Sequence, residues 1–243
     1  MIDGMSARAL DEINARVRDL SGAYTPGFVP SLTEDRIRGA ARTTAASDPL
    51  TVAPPEGTYL SGIDSRGRRF FSRDGRLQLG NGDLQFRDGA HVLGFASDGN
   101  GGTAVTPLRI DAVDAKLGRV DDARIAEDGT LSYARTIVDP RTGAQKKERV
   151  SVGVVALARF PAGTEPARGD GARVSALHGV SPTIGHPGQD GFGQVQPEHV
   201  DQGEVDLHRG LAALRDAYLA FNAIQGAKSA HGKTDKIAMD LVK

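Results

Sequence analysis

The sequence contains no cysteine and no tryptophan, and aromatic residues make up only 5% of its 243 residues. The absence of cysteine excludes disulfide bonds, thiolate nucleophiles and cysteine-ligated zinc. No run of about 18 apolar residues is available to span a bilayer. The first twenty residues carry acids from the third position onward and no continuous apolar stretch, so we expect no cleaved secretory signal.

Charge of one sign is not in excess either. Lys and Arg number 30 against 31 for Asp and Glu, and the basic residues are dispersed along the chain. This balance predicts neither a nucleic-acid-binding surface nor direct membrane insertion.

The sequence motifs of common enzyme classes are also missing. No nucleophile elbow, Walker loop or dinucleotide fingerprint is present, which disfavours acyl transfer and nucleotide chemistry. His186, His199 and His208 lack the spacing of a metal site, so exposed histidines are the favoured interpretation. We therefore predict a protein that is not an enzyme, with no catalytic residue, metal or cofactor. A carboxylate pair for glycan cleavage stays open as an alternative, because such residues need not be adjacent in sequence.

Apolar residues recur at spacings of three and four near both ends of the chain. The amino-terminal pattern predicts an amphipathic helix that ends at Ser21-Gly22. The carboxy-terminal pattern is an a/d repeat that must slip by one position to continue through Ile224. We expect the two helices to pair as a coiled coil. The assembly seam is defined as Met5, Ile13, Val17, Leu20, Leu207, Leu211, Leu214, Tyr218 and Phe221.

The middle of the chain has a hydrophobic period of two, interrupted by Gly, Asp, Asn and Pro, which predicts short antiparallel strands. Asp74-Gly75, Asn81-Gly82 and Asp88-Gly89 are spaced too widely for a calcium loop and are typical of hairpin turns. The predicted strands are Thr58–Ile63, Arg69–Ser72, Arg76–Leu79, Asp83–Arg87, His91–Ala96, Leu108–Ala112, Asp122–Ala126, Thr130–Val138 and Arg149–Phe160.

The predicted fold class is α+β, with a small antiparallel β domain between two terminal helices. Composition and periodicity divide the chain into an amino-terminal helical segment (1–30), an extended connector (31–57), a β domain (58–180), a Gly/Pro-rich connector (181–203) and a carboxy-terminal helix (204–243).

Several motifs occur in order along the chain: "TPGF" is followed by "SDPLTVAP", then by "RDG", "DG" and "VLG", and later by "VGVVALARF" and "VDL". In their order and spacing these motifs resemble the rod and hook proteins of the bacterial flagellum. The residues that carry the resemblance most closely are Thr25, Pro26, Gly27, Phe28, Arg73, Asp74, Gly75, Asp88, Gly89, Gly94 and Phe160.

The resemblance implies a structural subunit of the flagellar basal-body rod or hook. Its terminal helices would form an inner layer of a helical tube that transmits torque, and its β domain would form the outer wall. The implied partners are other copies, other rod and hook subunits and the flagellar type III export apparatus. The implied location is the rod in the periplasm or the hook outside the cell. The alternative interpretation is a β-domain protein that binds or cleaves cell-wall glycan.

Overall fold

A computed structural model describes residues 2–28, 42–96, 104–111, 113–114, 120–138, 145–164, 166–169, 171–203 and 205–241. The chain divides into two compact units. The helical unit contains residues 2–24 and 205–241, and the β unit contains residues 25–28 and the described residues of 42–203. The expected α+β class, with terminal helices and a mainly antiparallel β domain, is confirmed.

The two helices are α1 (Ile2–Ser21) and α2 (Leu207–Leu241). They are about 30 and 52 Å long at 1.5 Å per residue. Asp206 caps the amino terminus of α2, since its Oδ1 accepts the backbone N–H groups of Arg209 and His208. These bonds, that from Arg209 first, lower the pKa of the Asp206 carboxyl and keep it an anionic cap. Among the described residues, neither helix combines the length and apolar character that a membrane crossing requires.

The strands follow one another along the β unit and pair antiparallel throughout its described residues. Their bounds are β1 Thr43–Ala45, β2 Val52–Ala53, β3 Thr58–Ile63, β4 Arg69–Ser72, β5 Leu77–Gly80, β6 Asp83–Phe86, β7 His91–Ala96, β8 Val105–Pro107, β9 Asp121–Ile125, β10 Thr130–Val138, β11 Gln145–Val155, β12 Leu157–Arg159, β13 Ala167–Arg168, β14 Arg173–Ser175, β15 Thr183–Gly185, β16 Gln196–Pro197 and β17 His199–Asp201.

One large sheet dominates the β unit, with the strand order β13-β14-β4-β3-β7-β11-β10-β9. There are also two small sheets, β1-β17 and β2-β16. Each pairs a strand that precedes the large sheet in the sequence with a strand that follows it. The apolar side chains that alternate along the central strands form the core, which includes Leu60, Leu84, Val92, Leu131, Val155 and Leu157. Residues 42–57 and 181–203, which composition predicts to be connectors, therefore carry strands of this unit.

The three Asp/Asn-Gly pairs do not share one role. Asn81 and Gly82 both have positive φ and form the two-residue corner of the β5-β6 hairpin. Gly89 has a φ of 84° in the corner between β6 and β7. Asp74-Gly75 is different, since the carbonyl of Gly75 accepts the N–H of Val52 at 2.9 Å and a Cβ at Gly75 would overlap the carbonyl of Val52. Gly75 thus permits close backbone approach.

One predicted strand is misplaced. Leu108–Ala112 does not form a regular strand over its described residues, and the neighbouring strand is β8. Leu108 and Ile110 are nevertheless buried, and their backbone N–H groups bond to the carbonyls of Val92 and Gly82. The apolar alternation correctly indicates burial, whereas the strand pairing of this segment is limited to an isolated antiparallel bridge between Arg109 and Asp83.

Tyr133 of β10 is fully buried and donates a 2.7 Å hydrogen bond to the Asp114 carboxylate. Burial, then this bond, raises the pKa of the phenol from 10.0 to about 12. A raised pKa favours the protonated group in the folded state, so its contribution to stability is complete below pH 10 and lost as pH rises toward 12.

The hydrogen bond of Tyr133 predicts a pH-dependent stability. We expect the free energy of unfolding, measured relative to Tyr133→Phe, to decline between pH 10 and pH 12. If the difference in unfolding free energy between the wild type and Tyr133→Phe does not change with pH, the raised pKa of Tyr133 is contradicted.

Candidate functional site

A buried ion pair lies where both ends of the β unit meet. Arg73 and Asp201 are 3% and 1% exposed, and Nε of Arg73 lies 2.6 Å from Oδ2 of Asp201. Nη1 of Arg73 also donates to the carbonyls of Thr58, at 2.8 Å, and Pro55, at 3.1 Å. The guanidinium therefore has a charged partner and carbonyl acceptors, which is the arrangement that a buried charge requires.

The "TPGF" turn packs directly against this pair. The backbone N–H of Gly27 donates to the carbonyl of Asp201 at 2.8 Å. Gly27 has a φ of 69°, and a Cβ at this position would overlap the backbone nitrogen of Asp74. Two motifs that are far apart in the sequence, Thr25–Phe28 and Arg73–Gly75, thus meet in space. Glycine is required here by both the dihedral angle and the space.

The chain that leads to α2 reaches the same place. Gly203 donates its N–H to Oδ1 of Asp201 at 3.1 Å, and its φ is 82°. A Cβ at Gly203 would lie 3.1 Å from the carbonyl oxygen of Phe28 and 3.2 Å from that of Thr25. The segments that leave the β unit toward the two helices are therefore fastened side by side. We call this set of residues, Thr25–Phe28, Arg73–Gly75 and Asp201–Gly203, the exit clasp.

The other motif residues have separate packing roles. The ring of Phe160 makes edge contacts with Tyr59 and Phe71, at centroid distances of 5.6 and 5.3 Å. Tyr59 in turn lies 6.0 Å from the Arg73 guanidinium, so Phe160 borders the exit clasp. A Cβ at Gly94 would overlap the carbonyl of Val154. Asp88 pairs with Arg173 at the corner that contains Gly89, so Asp88 and Gly89 are not part of the clasp.

The helical unit consists of α1 packed along α2. Gln225 of α2 bonds to Ser6 near the start of α1, at 3.2 Å. Positions 225–234 of α2 are all exposed, whereas positions before them alternate between covered and exposed. The start of α1 therefore lies beside Gln225, and the end of α1 lies toward the beginning of α2. The two helices are antiparallel.

The assembly seam is only partly covered within this unit. Ile13 is buried at 3% exposure, and Leu20, Leu207, Leu214 and Phe221 are partly buried. The covered line on α2 has regular spacings of three and four without a slip, and it consists of Leu207, Gly210, Leu214, Ala217, Phe221 and Ile224. The covered positions are thus Gly210 and Ala217, where the sequence pattern predicts their larger neighbours Leu211 and Tyr218.

The remaining seam residues are exposed to solvent. Met5, Val17, Leu211 and Tyr218 are between 45% and 56% exposed. Leu10 and Leu219, which the predicted seam omits, are 47% and 57% exposed. Arg16, which lies off the predicted apolar stripe, is buried at 7% exposure and pairs with Glu12. The helical unit therefore presents apolar side chains that its own packing does not cover.

One surface pocket of about 420 Å³ contains two carboxylates, those of Asp64 and Asp88. Both are bound by arginine, Asp64 by Arg68 at 2.9 Å and Asp88 by Arg173. The backbone N–H of Arg68, first among several hydrogen bonds, lowers the pKa of the Asp64 carboxyl. A glycosidase acid needs a raised pKa, so Asp64 is poorly suited to that role.

Metal-ligand geometry is absent from the part of the chain that the structure describes, where no cluster of three or more His, Asp or Glu side chains could hold an ion. His199 contacts the carbonyl of Pro197 at 2.7 Å, and His186 stacks on Phe95 with centroids 3.8 Å apart. His208 is exposed in the first turn of α2.

The sequence matches no family model, and no curated protein is significantly similar to it. The flagellar resemblance therefore rests on the short motifs themselves.

Replacing Gly27 tests the close approach in the exit clasp. Gly27 and Gly57 have nearly the same φ, 69° and 70°, but a Cβ at Gly57 would meet nothing within 4 Å. Gly57→Ala reports the dihedral strain alone, about 1 kcal/mol. We expect Gly27→Ala to lower the free energy of unfolding by roughly 2–4 kcal/mol, because the clasp backbone must also move. Denaturant titration measures both, and equal losses would contradict the packing argument.

The Arg73–Asp201 pair gives a second prediction. Arg73→Met and Asp201→Asn each leave one buried charge without its partner, and each should lower the free energy of unfolding by about 3–5 kcal/mol. The double variant Arg73→Met/Asp201→Asn should lose less than the sum of the two single losses, since no uncompensated charge remains. Arg68→Met, which removes an exposed pair, is the matched control and should cause no measurable loss. Additive losses in the double variant would argue against direct coupling.

Proposed function

We propose that this chain is a structural subunit of the bacterial flagellar rod or hook that assembles with other subunits into a helical tube. The exit clasp is the observation that carries the proposal. Two motifs that resemble those of that family form one buried junction, at which the segments to both helices are fastened together. Such a junction would suit a subunit that transmits torque, because both segments that lead to the helices leave the β unit at one place.

The helical unit supports the same proposal. Its uncovered apolar side chains, including Leu211 and Tyr218, would be covered by the helices of neighbouring copies. We propose that the spacing of three and four along α2 continues between subunits as coiled-coil packing. Residues 225–234 of α2, which are all exposed, would pack in the same inner layer.

The proposal also specifies partners and location. The partners are further copies, other rod and hook subunits and the flagellar type III export apparatus. The location is the basal body, in the rod or the hook. The role is mechanical, and we propose no catalytic step. The glycan-cleaving alternative is weaker because the carboxylates of the described pocket are engaged by arginine.

Leu211→Glu separates assembly from folding. Leu211 is 56% exposed, so the variant should retain the helical circular dichroism and thermal midpoint of the isolated subunit. If α2 packs against neighbouring copies, a charge at this position should abolish filament formation by the purified protein, seen by electron microscopy. Leu177→Glu is the control, since Leu177 is 45% exposed but lies in the β unit.

The same variants can be expressed in bacteria from which the gene has been deleted. We expect the deletion to remove the hook and filament, and Leu177→Glu, but not Leu211→Glu, to restore them. Normal flagella in the deletion strain would refute the proposed function.

A further inference from the structure

The far end of the β10-β11 hairpin extends beyond its neighbours in the sheet. Strand β9 pairs with β10 only as far as Ala134, and β7 pairs with β11 only over Gly153–Val155. Residues 135–138 and 145–149 are therefore a two-stranded ribbon whose outer backbone edges are unpaired among the described residues. We call these residues the distal ribbon.

Both faces of the distal ribbon are open to solvent along β11, whereas Arg135 and Thr136 of β10 are partly covered. Every residue from Gln145 to Arg149 is exposed, although successive side chains point to opposite faces, and Ile137 is 40% exposed. A two-stranded ribbon without a packed face is marginal in water, and open edges invite pairing with other chains. These features indicate a surface that is completed by a partner.

Two lysines lie on β11 in the distal ribbon, Lys146 and Lys147. Arg135 pairs with Glu148 at 3.0 Å, and Arg149 pairs with Asp122, which neutralises the middle of the hairpin. Lys146 and Lys147 have no ion-pair partner among the described residues. Because they are consecutive, they project from opposite faces of the strand. These lysines are suited to a partner surface that carries acidic side chains.

An acidic surface lies at the opposite end of β10. The turn before the strand carries Glu127 and Asp128, and the carbonyl of Glu127 accepts the N–H of Val195 at 3.1 Å. Glu198 comes soon after Val195 in the sequence, and its N–H donates to the carbonyl of Thr51 at 2.8 Å. All three acids are exposed, and neither Glu127 nor Glu198 has an ion-pair partner among the described residues.

The lysines and the turn that carries Glu127 lie at opposite ends of the β10-β11 hairpin. From Thr130 to Val138, β10 rises about 27 Å. This separation prevents the lysines from reaching Glu127 of their own chain but suits contact between two copies. We propose that the β units associate head to tail, with Lys146 and Lys147 of one copy against Glu127 and Glu198 of the next.

This inference deepens the proposed function and rests on it for its biological role. The two surfaces are different, so the contact is heterologous and can repeat without closing on itself. It adds a contact between β units that is independent of the apolar contacts of the helical unit. Electrostatic complementarity would set the register between copies.

Reciprocal charge reversal tests the contact in the full chain. Lys146→Glu/Lys147→Glu and Glu127→Lys/Glu198→Lys should each weaken self-association about tenfold or more, measured by sedimentation velocity at low salt. An equimolar mixture of the two variants should regain wild-type association, because each presents the surface that the other needs. Arg66→Glu/Arg87→Glu makes the same charge change at exposed positions elsewhere on the β unit and should have no effect.

The absence of cysteine permits a direct geometric check. The variant Lys147→Cys/Glu127→Cys should form a ladder of disulfide-linked oligomers on oxidation, whereas either single variant should stop at dimers. A wild type without salt-sensitive association, a mixture that fails to regain it, or a double-cysteine variant that forms no ladder would overturn the proposal. If Lys146→Glu/Lys147→Glu supports normal flagella while Leu211→Glu does not, this contact is refuted and the proposed function stands.

Discussion

The architecture of the β unit depends on one buried charge pair, that between Arg73 and Asp201. Removing two charges from water is unfavourable by several kcal/mol, and their attraction compensates only when the remaining donors and acceptors are also bonded. Here the guanidinium reaches the carbonyls of Pro55 and Thr58, and the carboxylate also accepts the N–H of Gly203. The pair is therefore stable in only one arrangement of the surrounding backbone, and that arrangement fixes where the chain leaves for α1 and α2.

Glycine makes this arrangement sterically accessible. At Gly27 and Gly75 the backbone lies against another backbone segment at a distance that no side chain would allow. These positions explain the motifs that contain them in physical terms. In "TPGF" and "RDG" the glycines allow the two segments to meet, and the arginine supplies the charge that holds them. The residues that carry the resemblance in these two motifs therefore also define the geometry of one junction.

The sequence predicts the strands well because alternation reports which side chains face the core. Thr58–Ile63, Arg69–Ser72, His91–Ala96 and Thr130–Val138 have the expected bounds. It could not predict Asp201 as the partner of Arg73, because 128 residues separate them and composition offers 31 acidic residues. The strands β15 to β17 escape prediction since Gly and Pro obscure the alternation. On α2 the pattern favours large residues, whereas close helix packing places Gly210 and Ala217 at the covered positions.

The two units differ in the kind of contact that they can offer a neighbouring copy. The helical unit exposes apolar side chains, whose burial is favourable but weakly directional. The β unit exposes opposite charges at the two ends of one strand, which contribute less free energy but discriminate strongly between registers. The proposed assembly would use both properties, because its subunits must adhere and must also keep one register. Since the exit clasp fastens both outgoing segments at one point of the β unit, a register set between β units would also fix where those segments leave each β unit.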